Sequence, residues 1–288
     1  MSDRRIVPLP GGRALLAENG PMRLVIQAWE GVVPRLDLAA EAAGYAFECL
    51  ARVAEQLAVL KRPPGTIDRL PPEPLAREMI ASVRAVGDAD LTPLAAVAGT
   101  LADAVADRLF GRGLSRVIVD NGGDIAIRLA PGETARVGLR PEIAHPEISH
   151  VLTLEGRHSS WGVTTSGLGG RSFTCGIASA VTAVARSAGL ADAAATAVAN
   201  ACFTPGADVL RVPAAQLDPN TDIPELPVTV AVGDLTGAQR AVALSNALRL
   251  AEGLTRKGVI RGALVALGRQ VAQTANFRER VAELAALA

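Results

Sequence analysis

Three short segments carry residues whose types and spacing suit the binding of a charged ligand. The first is Asn121-Gly122-Gly123-Asp124. The second runs from Thr164 to Gly167 and on through Gly169-Gly170-Arg171, and the third is Ala191-Asp192 followed by Thr196. Together they supply carboxylates, hydroxyls, glycines and one guanidinium, which are the groups that hold phosphates and hard cations.

The third segment presents an acid and a hydroxyl four residues apart. In a helix, residues at that spacing lie on one face. Oxygen atoms from Asp192 and Thr196 are the ligands that Mg²⁺ prefers, so we predict a metal site at these two residues. The alternative is that Asp192 caps a helix N-terminus and that Thr196 bonds back to its own helix.

The second segment places hydroxyls, glycines and an arginine just before a predicted helix. Backbone N–H groups at a helix N-terminus, helped by a guanidinium, form an anion site. We therefore predict that Thr165, Ser166, Gly167 and Arg171 contact a cofactor. The alternative is a plain turn with a helix cap at Ser172. The loop is not a Walker A motif because no Lys-Ser/Thr pair follows.

The first segment lies between two strands rich in β-branched residues, Val117–Val119 and Ile125–Leu129. Asn-Gly is a strong signal for a hairpin turn, which is one reading of the segment. The other is that the glycines let a flat ligand approach the backbone closely. On this reading Asn121, Gly122, Gly123 and Asp124 are cofactor-binding residues.

The elements that must position these segments follow from periodicity and turn residues. We predict strands at 22–29, 134–140, 150–156, 160–166, 228–234 and 258–268, with proline-rich loops at 61–74 and 205–227. We predict helices at 36–60, 74–86, 90–111, 172–189, 190–203, 237–253 and 276–288.

Composition excludes several classes of protein. The 288 residues carry equal numbers of basic and acidic side chains, so there is no charge excess for nucleic acid. No apolar stretch is long enough to span a membrane, and the N-terminus lacks a signal-peptide core, so we expect a cytoplasmic protein. Cys49, Cys175 and Cys202 are predicted to be free thiols, and the three histidines match no zinc spacing. A homo-oligomer is an expectation only.

One internal echo links two alanine-rich helices. LADAVADRL at 101–109 resembles LADAAATAV at 190–198, and each has an aspartate at the same place. This is what a duplicated unit leaves behind, although chance produces such matches in alanine-rich sequence. We expect one domain over 1–288, with two repeats near 20–130 and 131–270.

In combination, the three segments resemble the ApbE superfamily, the FAD:protein FMN transferases. The family's GGD, T-S-G and A-D-x-x-x-T segments correspond in order and spacing to Gly122–Asp124, Thr165–Gly167 and Ala191–Thr196. The chain is more similar still to a shorter ApbE-like branch without the histidine segment. The resemblance implies an α+β fold of mostly antiparallel sheets with packed helices, and a pocket for FAD, or another flavin or pterin-like ligand, with Mg²⁺.

The sequence departs from the FMN transferases in one segment. They carry a His-His-Ile-Ile-Asp-Pro-type stretch between T-S-G and A-D-x-x-x-T, and its histidine has a catalytic role. Here that interval reads RSFTCGIASAVTAVA and holds no histidine. We therefore expect either nucleotidyl or phosphoryl transfer or hydrolysis, or a cofactor-binding or partner subunit that has lost the transferase chemistry. No catalytic residue is assigned.

Overall fold

The computed structural model describes residues 4–140, 148–206, 208–278 and 281–283. None of the helices in these ranges has the length and apolar character needed to cross a membrane. The strands are β1 (Arg5–Pro8), β2 (Leu15–Asn19), β3 (Met22–Glu30), β4 (Val33–Pro34), β5 (Arg116–Asn121), β6 (Asp124–Leu129), β7 (Thr134–Leu139), β8 (His150–Glu155), β9 (Ser160–Ser166), β10 (Ala180–Ala185), β11 (Val209–Pro213), β12 (Pro227–Val232), β13 (Gly262–Leu267), β14 (Gln270–Gln273) and β15 (Val281–Glu283). The helices are α1 (Leu36–Ala54), α2 (Leu57–Leu60), α3 (Pro74–Val86), α4 (Val97–Phe110), α5 (Ala188–Ala201), α6 (Gly237–Arg256) and α7 (Ala275–Arg278).

A ten-stranded antiparallel sheet organises the fold, in the order β1-β2-β3-β5-β6-β9-β10-β13-β14, with β4 paired to β3. The long helices cover one face and form the larger core with it. The small sheet β7-β8-β15 closes a second core on the other face, around Trp161 and Phe277. This architecture confirms the predicted α+β class with mostly antiparallel sheets.

A similar order of main elements occurs twice along the chain, when α2, α3 and the pairs β7-β8 and β11-β12 are set aside. A hairpin (β2-β3), two helices (α1 and α4) and a second hairpin (β5-β6) are followed by β9-β10, α5 and α6, and β13-β14. We retain the internal duplication as a proposal on this basis. The two similar segments do not lie at equivalent places, however. Residues 101–109 are in α4, the last helix of the first unit, whereas residues 190–198 are in α5, the first helix of the second unit.

Three predicted elements are wrong. The helix expected at 172–189 is an irregular segment followed by β10, whose six residues are all buried between β9 and β13. A short apolar run of this kind cannot be told from a buried helix by periodicity. The loop expected at 205–227 contains β11, which pairs with β12. The helix expected at 276–288 includes β15, and residues 279–280 and 284–288 lie outside the described part of the chain.

Small residues bring α4 and α5 into end-to-end contact. A Cβ added at Gly99 would overlap the backbone oxygen of Ala188, and one added at Gly189 would overlap the hydroxyl of Thr100. Glycine at both positions therefore lets each helix start directly against the other.

Candidate functional site

An aspartate on each of the helices α4 and α5 accepts a hydrogen bond from the first turn of the other helix. Asp192 of α5 accepts a hydrogen bond from the backbone N–H of Gly99 at 3.0 Å, in the first turn of α4. Asp103 of α4 accepts one from the N–H of Gly189 at 2.9 Å, in the first turn of α5. These are the aspartates of the two echoed segments. Asp192 therefore caps a helix N-terminus, but that of the neighbouring helix.

Asp192 also lines a cavity of about 550 Å³. Its polar lining includes Asp124, Arg171, Asp192, Thr196 and Asn200. The other polar residues of the lining are Lys61, Asp90, Thr92, Ser172, Asp218, Asn220, Thr221 and Asp222. Its apolar wall includes Leu57, Leu91, Leu94, Val97, Phe173, Ile223 and Leu226. The fold thus brings residues from all three predicted segments into the lining of a single cavity.

The lining residues of α5 recur at every fourth position. Asp192, Thr196 and Asn200 lie on one helix face, one turn apart. Sequence reasoning missed Asn200, although it continues the same spacing. Its Oδ1 accepts a hydrogen bond from the N–H of Cys175 at 2.9 Å, which holds the irregular segment before β10 against the helix.

Burial raises the pKa of both Asp124 and Asp192. The pKa of Asp192 rises to about 7, mainly through burial and partly through Asp103, although the N–H groups of Gly99 and Ala98 oppose the shift. The pKa of Asp124 is raised by burial, then by the charges of Asp192 and Asp120, and is lowered by Arg171. Two acids that repel each other in an enclosed site favour the arrival of a cation.

The Asn121-Gly122-Gly123 turn does not line the cavity, but it contacts Arg171, which does, and the first turn of α4. Gly122 has a φ of +71°, and a Cβ there would overlap the guanidinium of Arg171. Arg171 donates to the backbone oxygens of Pro21 at 2.9 Å and Asn121 at 3.4 Å. The Asn121 side chain donates to the oxygen of Ala98 at 3.1 Å, beside the residue that Asp192 caps. The turn thereby positions both Arg171 and the start of α4.

The Thr165-Ser166-Gly167 segment also lies beside the cavity rather than in its lining. The Thr165 hydroxyl lies 2.9 Å from the Thr182 hydroxyl on β10. Gly167 has a φ of +148°, and a Cβ there would lie 2.7 Å from the backbone oxygen of Ser179. Close packing explains this glycine, and contact of the segment with a cofactor stays a prediction.

Thr164, just before that segment, is fully buried, and its Oγ1 has no hydrogen-bond partner. It is the register partner of Asp124 across β6 and β9. A buried hydroxyl without a partner is costly, so an unpaired one opposite the Asp124 carboxylate fits a site for an oxygen-bound group. In the ranges that the structure describes, no three His, Cys, Asp or Glu side chains cluster as a metal site. The donors available here are instead two carboxylates and two hydroxyls, which suit Mg²⁺.

A second cavity, of about 520 Å³, lies on the other side of the α4–α5 contact. It is lined in part by an ion cluster of the chain itself. Buried Arg128 of β6 donates to Asp103 at 2.9 Å and to Asp107 at 2.6 Å. Asp103 and Asp107 have the same spacing on α4 that Asp192 and Thr196 have on α5.

Part of this chain is similar to proteins known from archaea. The UPF0280 protein of Methanopyrus kandleri is 43% identical over 110 residues, covering 38% of this chain and 42% of that protein. A UPF0280 protein of Methanococcus maripaludis is 33% identical over 114 residues, covering 39% and 46%. The chain thus spans less than half the length of either relative.

A solved structure shares the fold. A variant of the flavin transferase ApbE from Vibrio cholerae aligns with a TM-score of 0.50 at 12% identity, covering 97% of this chain and 99% of that one. A family model described as AbpE bacteria matches residues 6–274. This match confirms the predicted ApbE-like resemblance, and the chain belongs to the AbpE bacteria family.

Proposed function

We propose that this protein binds a flavin-type nucleotide, or a related flat heterocyclic cofactor such as a pterin, together with Mg²⁺ in the 550 Å³ cavity. The observation that carries the proposal is the convergence of Asp124, Arg171, Asp192 and Thr196 in the lining of that cavity. Family membership and the fold shared with the Vibrio cholerae flavin transferase support the choice of ligand.

The shape and lining of the cavity suit a ligand with one apolar part and one charged part. Its volume lies within the range typical of small-molecule sites, about 300–1,000 Å³. The leucines and Phe173 offer surface to a flat ring, while Arg171 offers a guanidinium to a phosphate. A nucleotide-like cofactor combines these two parts.

The contrast between the two cavities supports a cation at Asp192. On α4, the aspartates at positions i and i+4 receive a cation from within the chain, the guanidinium of Arg128. On α5, the residues at the same spacing are Asp192 and Thr196, and the sheet position related to Arg128 holds Thr164. Ala126 and Gly162 are register partners, and Arg128 and Thr164 each lie two residues beyond them. A cation from solution completes the second arrangement.

Bound Mg²⁺ supplies neutralisation of phosphate charge, which phosphoryl and nucleotidyl transfer require. The chain's own residues orient the phosphate through Arg171 and exclude water through the apolar wall. Asp124 is close enough to Asp192 for the charge of Asp192 to raise its pKa, so a bound cation would be shared by two acids. We propose transfer or hydrolysis of a nucleotide as the reaction on this basis.

The alternative is a cofactor-binding protein or partner subunit without catalysis, for example in flavin or pterin cofactor biosynthesis. The absence of a histidine between Thr165 and Asp192 favours a protein without catalysis. The hydrogen bond by which Asp192 stabilises the start of α4 also favours it, because it gives Asp192 a structural role. Incubation with FAD and Mg²⁺, followed by chromatography of the products, separates the two. Release of FMN and AMP that disappears in Asp192→Asn supports the enzyme. Unchanged FAD that remains bound supports the binding protein.

Ligand titration tests the proposal as a whole. Purified protein is titrated with FAD, FMN and a pterin, each with Mg²⁺ and with EDTA, and binding is followed by ligand fluorescence. We expect at least one ligand to bind in a Mg²⁺-dependent manner. Absence of binding for all three contradicts the proposal. Size measurement of the same samples tests the predicted homo-oligomer.

A further inference from the structure

We infer that Thr164, the first residue of the second predicted segment, is an oxygen ligand of the cation at Asp192, and that Asp124 completes a donor set shared between the sheet and α5. This inference rests on the proposed function because it assumes that a divalent cation binds at Asp192. It adds two residues of β6 and β9 to the pair of α5.

The first step is the direction in which Thr164 faces. Gly162 and Thr164 are two residues apart on β9, so their side-chain positions lie on the same face of the sheet. A Cβ at Gly162 would overlap the backbone oxygen of Ser187, at the start of α5. Thr164 therefore faces the helix layer, as does its register partner Asp124.

The second step is the level of Thr164 along α5. Because β10 runs antiparallel to β9 and leads directly into α5, the helix runs in the same direction as β9. Asp192 is one turn beyond Ala188, about 6 Å along the helix axis. Thr164 is two residues beyond Gly162, about 6.6 Å along the strand. Asp192 and Thr164 therefore lie at the same level, with Asp124 on the neighbouring strand.

The third step is the chemistry of the unpaired groups. Thr164 Oγ1 is buried without a hydrogen-bond partner, and its register partner Asp124 is a carboxylate whose pKa is raised by the charge of Asp192. Two carboxylates balance the charge of one divalent cation, and two hydroxyls add neutral oxygen donors. A cation at this level gives Thr164 the partner that the protein alone does not provide. In the other cavity Arg128 meets the same need from within the chain.

Manganese binding to the full-length protein tests the inference without an activity assay. Mn²⁺ accepts the same oxygen ligands as Mg²⁺ and is counted by the electron paramagnetic resonance signal of its free form. We expect Thr164→Val to weaken Mn²⁺ binding about tenfold and Thr164→Ser to retain it. Thr174→Val is the matched control, because Thr174 is also a buried threonine whose hydroxyl has no partner. It lies in the irregular segment before β10, whereas Thr164 lies on β9 opposite Asp124.

Folding of the variants is checked by urea denaturation. Valine has nearly the shape of threonine, so we expect Thr164→Val to unfold at the same urea concentration as the wild type or a higher one. A third variant, Thr164→Arg, places a guanidinium where Arg128 places one in the other cavity. We expect it to fold and to bind no Mn²⁺ at this site.

The outcomes separate this inference from the function on which it rests. If Thr164→Val binds Mn²⁺ as the wild type does, while Asp192→Asn does not, the assignment of Thr164 is wrong and the cation site stands. If the wild type binds no Mn²⁺, both are wrong. An equal loss in Thr164→Val and Thr174→Val also contradicts a specific role for Thr164.

Discussion

The carboxylate of Asp192 lies 3.0 Å from the backbone nitrogen of Gly99 and accepts its hydrogen. A side chain that lines the cavity on α5 therefore also fixes the first turn of α4. Asn121 donates to Ala98 in the same turn, so the Asn-Gly-Gly-Asp segment and the metal-binding candidate meet at one helix end. Charge at Asp192 and the position of α4 are thus linked.

Two substitutions of Asp192 separate its structural role from its charge. Asparagine keeps an oxygen that accepts from Gly99, whereas alanine removes it. We expect Asp192→Ala to lower the free energy of unfolding by about 1 kcal/mol, the typical value of a helix cap, and Asp192→Asn to lower it by less. Both variants should lose Mg²⁺ binding. Urea unfolding and a Mg²⁺ titration measure the two effects, and Mg²⁺ binding by Asp192→Asn at wild-type strength would contradict the assignment.

The pKa of Asp192 predicts how stability changes with pH. Because folding raises this pKa from 3.8 to about 7, the folded state keeps the proton over a range in which the unfolded state loses it. The stability that this group contributes is fully present below pH 4 and is lost as the pH rises through 7. Without metal, we expect the wild type to lose about 3 kcal/mol relative to Asp192→Asn between pH 4.5 and 7.5. Parallel stability curves for the two proteins would show that the pKa of Asp192 is unshifted.

Gly122 is predicted to control Arg171. An alanine there meets both a positive φ of +71° and the guanidinium, whereas Gly113 has a φ of +85° with open space around it. We expect Gly113→Ala to cost about 1 kcal/mol in unfolding free energy from backbone strain, and Gly122→Ala to cost more. Only Gly122→Ala should weaken pyrophosphate binding, measured by calorimetry. Equal pyrophosphate affinity in both variants means that Arg171 does not bind phosphate.

Arg128 is predicted to hold the α4 side of the fold together. Its side chain is 5% exposed and that of Asp103 is 8% exposed, so removing the guanidinium leaves a buried carboxylate without a cation. We expect Arg128→Met to lower the free energy of unfolding by about 3–5 kcal/mol. Arg112→Met, which breaks an exposed ion pair with Glu41, should cost under about 1 kcal/mol. Similar urea midpoints for the two variants would contradict a structural role for the buried cluster.

Local signals were sufficient for much of this fold. Val117–Val119 and Ile125–Leu129 form paired strands around Asn121-Gly122 because alternation and turn chemistry act over a few residues. The spacing of Asp192 and Thr196 likewise predicted a shared helix face, and both line the cavity. β10 was misread because its alanines and valines, buried between two strands, carry no polar alternation.

The remainder of the site depends on contacts between distant segments. Thr164 meets Asp124 only because β9 pairs with β6, and no local pattern sets that register. The cap of Asp192 on Gly99 joins residues 93 positions apart. The apolar wall includes Ile223 and Leu226, which lie in a stretch predicted as loop, where composition gave no indication of a ligand contact.

Calorimetric titration of FMN in the presence and absence of Mg²⁺, with wild type and Asp192→Asn compared at pH 7.5, tests the central claim most directly. The account predicts that Mg²⁺ strengthens FMN binding to the wild type at least tenfold and has no effect on the variant, which still folds because asparagine retains the hydrogen bond from Gly99. FMN binding that is equally strong in EDTA and in Mg²⁺, or equally Mg²⁺-dependent in both proteins, would contradict a cation site at Asp192.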